Sequence, residues 1–220
     1  MINEQAVYKN GSKIFSADDA HPAGSPRSGG TANSSSPTAS HGLNGPGHFL
    51  LGLYENFAWQ YPKFFKMDNL SKLGWVAAEL LLEGWDTAAY PSEAVAVVLS
   101  NANSSLDTDY KYTETTRDIP SPSVFVYTLP NIVIGEICIR HRFKGENAFF
   151  LSAAFDPALL ERYVGLLLEQ GIAQACITGW VEWLGDSFKA ALFLIEKKET
   201  AGALPFSAEN MDRIFKNLTH

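Results

Sequence analysis

Ala94-Val95-Ala96-Val97-Val98-Leu99 is a short, unbroken apolar run that follows Pro91 and gives way to Ser100 and Asn101. It lacks the alternation of a strand with one wet face, so it reads as a strand buried on both faces. Cover on two sides must then come from the flanking sequence. Before the run, Leu70, Leu73, Val76, Ala77, Leu80 and Leu81 recur at helical spacing across Asn69 to Glu83, with Gly84 as a stop and Phe57, Trp59, Tyr61, Phe64 and Phe65 as an aromatic approach. After it, the polar stretch from Asn101 to Asp118 reads as a loop. Ile132, Val133, Ile134, Ile137, Cys138 and Ile139 then form a helix apolar nearly all round, which should be buried.

Further on, Ala148-Phe149-Phe150-Leu151 reads as a strand and Pro157 to Gln170 as a helix with proline in its first turn. Ile172 to Trp183 is a second long strand, Gly185-Asp186 turns the chain, and Phe188 to Glu196 returns beside it, antiparallel. Ser207 caps a last helix from Ala208 to Leu218. Strand, buried helix and strand in this order give an α/β fold, a mixed sheet with helices on both faces.

The chain divides into three parts. Residues 1–15 hold a short alternating stretch that reads as a first strand region. Residues 16–48 are dominated by Gly, Ser, Pro, Ala, Asn and Thr, which build no core, and are expected as a low-complexity, disordered loop. Gly24-Ser25-Pro26-Arg27-Ser28-Gly29-Gly30 lacks the Gly-Lys-Ser/Thr ending of a phosphate cradle. Residues 49–220 form the globular domain.

Composition narrows the function. The chain has 220 residues, 46% of them hydrophobic, and a formal net charge of −7 from 17 basic and 24 acidic residues. Phosphate neutralisation needs clustered Lys/Arg, so nucleic acid is excluded as a partner. There is no basic leader followed by an apolar stretch and no apolar window of about 18 residues to span a bilayer, so the expected compartment is the cytoplasm. Cys138 and Cys176 lie in apolar runs without CxxC spacing or nearby histidines and read as buried thiols, and neither a metal nor another cofactor is expected. Trp59, Trp75, Trp85, Trp180 and Trp183 read as core or interface.

Pro122-Ser123-Val124-Phe125-Val126-Tyr127-Thr128-Leu129-Pro130-Asn131, followed by Ile132-Val133-Ile134-Gly135-Glu136-Ile137, resembles a segment of the β-ketoacyl synthases: a small and apolar lead-in, an Asn-Thr-x-x-Asn element and a Gly-containing helix. Tyr127 stands in the first Asn position, while Thr128 and Asn131 are kept. Phe143-Lys144-Gly145 is similar to the family's lead into the nucleophile strand. Gly171 to Glu182 looks like Gly-x-x-Asp-x-x-Leu-x-Gly-Gly-x-Glu, with Gly171, Gly179 and Glu182 retained and Gln174 replacing the Asp. Phe65-Lys66-Met67-Asp68 resembles the Arg-Met-Asp element before the first long helix. The likeness covers most of Phe49 to Lys197 and implies the N-terminal half of a thiolase-like fold.

Condensing enzymes of this family carry a cysteine between that strand and a buried helix, where the helix N-terminus lowers its pKa. The corresponding stretch here is Leu151-Ser152-Ala153-Ala154-Phe155-Asp156-Pro157. Counting back from Gly171 puts Ala154 at the nucleophile position, or Phe155 if the register slips by one, and neither attacks a thioester. The family's two C-terminal histidines have no counterpart before the chain ends, so condensation by the isolated protein is not expected. Ser152 with His141 is a remote alternative, since His141 between Arg140 and Arg142 reads as a solvated cluster at a helix C-terminus. Asp107, Asp109, Asn101 and Asn103 match no cation-loop spacing.

The resemblance therefore implies a non-catalytic chain-length-factor-like subunit, similar to the shortened forms of aryl polyene type pathways. Its expected partner is an active 3-oxoacyl-(acyl carrier protein) synthase, with acyl carrier protein as donor and a homodimer if the synthase is absent. The alternative is a stand-alone module that binds acyl chains or acyl carrier protein. By the same likeness Ala148, Phe149, Phe150, Leu151 and Ser152 are the seam across which two sheets join, and Phe125 and Tyr127 line the acyl tunnel.

Overall fold

A computed structural model describes Ile2 and residues 6–9, 12–16, 46–198 and 202–217. The elements run β1 (Ala6–Lys9), β2 (Ser12–Ser16), α1 (Pro46–Asn56), α2 (Asn69–Leu82), β3 (Val95–Asn101), α3 (Leu106–Thr115), α4 (Pro122–Phe125), α5 (Ile132–His141), β4 (Asn147–Leu151), α6 (Pro157–Glu169), β5 (Ala175–Leu184), β6 (Ser187–Glu196) and α7 (Ala208–Lys216). β1 and β2 form an antiparallel hairpin. The segment expected to lack structure, 16–48, lies mostly outside the described residues, and α1 begins at Pro46.

The four-stranded sheet has the order β4-β3-β5-β6. β3 is parallel to both neighbours, with Val97 opposite Asn147 and Ile177, while β5 and β6 form the antiparallel pair expected around Gly185. Ile2 pairs with Ala190 through both backbone bonds, at 2.8 and 2.9 Å, on the far side of β6.

Every residue of β3 is buried, and the pleat explains how. Val95, Val97 and Leu99 face the layer built from α1, α2 and α5, whereas Ala96 and Val98 face α6 and α7. Two packed layers around one sheet result. On the first side α2 and α5 touch at Gly74, where a Cβ would stand 2.2 Å from Val133 Cγ2. Gly179 adopts φ 146°, and a Cβ there would meet the Ala191 carbonyl oxygen at 2.0 Å, so only glycine lets β5 and β6 approach. Asp68 caps α2 by accepting from Ser71 N–H at 2.9 Å, and its other oxygen accepts from Thr108 Oγ1 at 2.7 Å, fastening α3 to the start of α2.

Two expectations need correction. Asn101 to Asp118 is not a loop throughout: Leu106–Thr115 is α3, a mostly polar helix with only Thr108 buried. α5 is not buried all round either. Val133, Ile134, Glu136 and Ile137 face inward, but Ile139 is 60% exposed. Among the described residues no single helix is long and apolar enough to cross a membrane.

Candidate functional site

Around the position where the resemblance expects a thiolate, Ala154 is exposed and Phe155 turns inward. The Phe155 ring stacks on Phe215 of α7 with centroids 4.3 Å apart, and Phe193 and Trp180 complete the cluster at 6.2 and 6.3 Å. Lys189 Nζ lies 3.7 Å over the Phe215 ring, and burial holds its pKa below the ordinary lysine value. Asp156 caps α6 by accepting from Leu159 N–H at 3.0 Å. A carboxylate at this helix end would raise the pKa of a thiol rather than lower it. The stretch serves as packing.

β4 lies next to this loop and is the edge of the sheet, paired with β3 alone among the described strands. Phe149 packs on the α2–α5 side, while Ala148 and Phe150 pack on the α6 side, where Phe150 meets Tyr163 edge-on at 5.0 Å. Leu151 is 59% exposed. Ser152 is half-buried, and its N–H donates to the Asn101 carbonyl at 3.0 Å, extending the β3 register by one residue.

A third group lies before α5. α4 begins at Pro122, with Ser121 as its cap, and a single 3-10 turn, Val126–Thr128, leads to the next bend. Phe125 and Leu129 are 54% and 55% exposed, and Val126 is exposed beside them. Phe125 touches Tyr112 of α3 at 5.2 Å between centroids. Tyr127 turns the other way: it packs against the main core, and its hydroxyl donates to Glu136 Oε1 at 3.0 Å. Burial and the Glu136 carboxylate raise its pKa well above that of a free phenol. Lys63 Nζ stands 2.8 Å from Glu136 Oε2. The Ser105 hydroxyl bonds the Thr128 carbonyl. A lone acid inside an otherwise apolar helical run was the available sequence signal for Glu136.

Most of the remaining polar candidates have structural partners. His141 and Arg140 are not a solvated cluster: both reach Glu79 of α2, His141 Nε2 at 3.1 Å and Arg140 Nε at 2.8 Å, and Arg140 lies over the Tyr61 and Trp75 rings. With that nitrogen on Glu79 and its ring stacked on Phe143, His141 is not a base for Ser152. Asp107 pairs with Lys111 and accepts from Gly185 N–H at 3.1 Å, Asn101 accepts from Ser104 N–H, and Asn103 donates to Glu182. Glu182 also accepts from Ala102 N–H at 2.7 Å, tying the ends of β5 and β3. Among the described residues no cluster of His, Cys, Asp and Glu can hold a metal ion. Burial pushes the Cys138 thiol up to about 11 and Cys176 higher still, the opposite of nucleophile activation.

No protein-family model and no curated protein matches the sequence. Solved structures do. A chain of the ishigamide ketosynthase/chain length factor superposes with a TM-score of 0.53 at 24% identity, over 64% of this chain and 46% of that one. A chain of a ketosynthase in complex with its chain length factor from Xenorhabdus doucetiae superposes with a TM-score of 0.51 at 13% identity, over 73% of this chain and 74% of that one. The protein therefore spans about half the length of the first and is about as long as the second. It has the fold of these chains.

Proposed function

We propose that the protein is a non-catalytic, chain-length-factor-like subunit that pairs with an active 3-oxoacyl-(acyl carrier protein) synthase in fatty acid or polyketide biosynthesis of the aryl polyene type, in the cytoplasm. The observation that carries this reading is an unreactive stretch before α6 in a chain that leaves apolar groups and a strand edge open. Ala154 or Phe155, which the resemblance aligns with the nucleophile, carries no reactive group, whereas β4 and the 122–129 segment leave Leu151, Phe125, Val126 and Leu129 in water. Exposed apolar groups and an open strand edge are surfaces in need of a partner. A synthase edge strand would extend the sheet past β4 and bury that surface, on the order of 2,000 Å² in all. Residues 49–220 supply most of the pairing domain, joined by Ile2 on β6 and by the start of α1 at Pro46.

Co-expression with a full-length synthase and size-exclusion chromatography test the pairing, with one heterodimer peak expected. A monodisperse monomer that ignores the synthase would instead support a stand-alone module binding acyl chains or acyl carrier protein. Intact mass after incubation with acyl- and malonyl-loaded carrier protein should show no adduct. A stable acyl adduct lost in Ser152→Ala would overturn the non-catalytic assignment. For the tunnel, Phe125→Ala in an intact heterodimer should shift products toward longer chains. Tyr110→Ala is the proper control, because Tyr112 touches Phe125 and does not report independently.

A further inference from the structure

A buried carboxylate is an unexpected occupant of α5. Glu136 is 4% exposed, on a helix whose other inward residues are Val133, Ile134 and Ile137, and an apolar side chain there would pack without desolvating a charge. Such groups contribute little net stability, and their best-attested use is to fix one arrangement among several. The arrangement in question is the 121–129 segment. Phe125, Val126 and Leu129 make too little buried contact to hold it by packing. Ser121 N–H on Thr115 Oγ1 at 3.1 Å and Phe125 against Tyr112 tie it to the half-exposed α3, while its attachments to the core side are the Tyr127 ring with its hydroxyl on Glu136, and the Thr128 carbonyl on Ser105. Glu136 is in turn oriented by Lys63 from the turn Pro62–Lys66, whose Nζ lies 2.8 Å from Oε2.

We propose that Glu136 is the positioning residue of the docking face: through Tyr127 Oη it locks the 121–129 segment so that Phe125, Val126 and Leu129 stand outward in one conformation, ready for the synthase. The pre-ordered segment then loses little conformational entropy on binding. The proposal rests on the pairing reading for the use of the segment, but its order is a property of the free chain.

Hydrogen exchange on the full chain reads that order directly, since Val124 N–H bonds the Ser121 hydroxyl and Phe125 N–H its carbonyl. Losing a hydrogen bond to a charged acceptor shifts a local opening equilibrium by about tenfold or more. Tyr127→Phe, which keeps the ring, should speed exchange at residues 124–129 by about that factor, with β3 and β5 amides unchanged. Glu136→Gln keeps an acceptor oxygen but loses the charge and should fall between wild type and Glu136→Leu, which should match or exceed Tyr127→Phe. Unchanged exchange in Tyr127→Phe, or a Gln variant as fast as Leu, would overturn the proposal. A co-expressed full-length synthase supplies the second arm: its affinity should fall about tenfold in Tyr127→Phe and by less in Glu136→Gln. If wild type ignores the synthase, the pairing reading fails while the exchange result still decides the role of Glu136. If pairing occurs but Tyr127→Phe leaves both exchange and affinity unaltered, the positioning role fails and the pairing stands.

Discussion

Two lead-ins to helices, residues 151–156 before α6 and 121–131 before α5, carry similar aromatic side chains to opposite ends. The first turns Phe155 in against Phe215, Phe193 and Trp180 and closes it with α7. The second turns in only Tyr127, anchors it to a carboxylate, and leaves Phe125, Val126 and Leu129 outside. Burial by rings makes a segment part of the fold. Anchoring by a polar bond holds a segment still while its apolar surface remains available, so one lead-in is taken up by packing and the other keeps exposed apolar surface.

The largest stability effect should come from loosening the lid over the packed lead-in. Met211 of α7 is buried in the same layer as Leu160, Val164 and Cys176. Met211→Ala should destabilise by about 2 to 5 kcal/mol in urea unfolding, with faster exchange in the amides around Phe155. Unchanged stability would mean that α7 does not hold the Phe155 cluster, and the contrast between the lead-ins would fail.

A smaller effect separates the two phenylalanines. Phe155→Ala removes a ring stacked at 4.3 Å inside a four-ring cluster and should cost about 1 to 3 kcal/mol. Phe125→Ala removes a mostly exposed ring with one aromatic neighbour and should cost below about 1 kcal/mol, yet it should weaken association with a synthase by about 2 kcal/mol if the ring anchors the interface. Calorimetry of binding alongside urea midpoints measures both. Equal stability losses would place Phe125 in the core and sharpen nothing.

The sheet was legible because β3 is a continuous apolar run and because Gly185 sits between two apolar stretches of matching length. α3 was not. Its sequence, Leu106 to Thr115, contains four Thr or Tyr residues after Thr108 and buries only one side chain, so neither propensity nor periodicity marks it. It is held by long-range bonds, Thr108 to Asp68 and Asp107 to Gly185 N–H. The lack of a cysteine in residues 151–157 could be read directly, but not the inward packing of Phe155, because Phe215 lies 60 positions from Phe155 in sequence. Arg140 and His141 were misread for the same reason: Glu79, the partner that takes them out of solvent, lies on another helix.

The smallest effect lies at the far end of α5, where that same Glu79 joins the helix to α2. Burial alone would raise the Glu79 pKa, but hydrogen bonds from His141 and Arg140 outweigh it and hold the group below the 4.5 of a free glutamate. A folded value below the unfolded one means that the unfolded chain takes up the proton first as pH falls. The contribution is therefore present in full above the unfolded value and is lost as pH falls through the folded one. Glu79→Gln should flatten the acid limb of the urea midpoint between about pH 6 and pH 3, whatever it does to stability at neutral pH. Exchange at residues 124–129 should not change, because Glu136 and Tyr127 hold that segment through their own bond, one helical turn before Arg140. An unaltered acid limb would remove Glu79 as its source. If exchange in the segment rose with the Glu79 substitution, α5 would move as one body, and the outward-facing lead-in would depend on the helix packing that supports the rest of the fold.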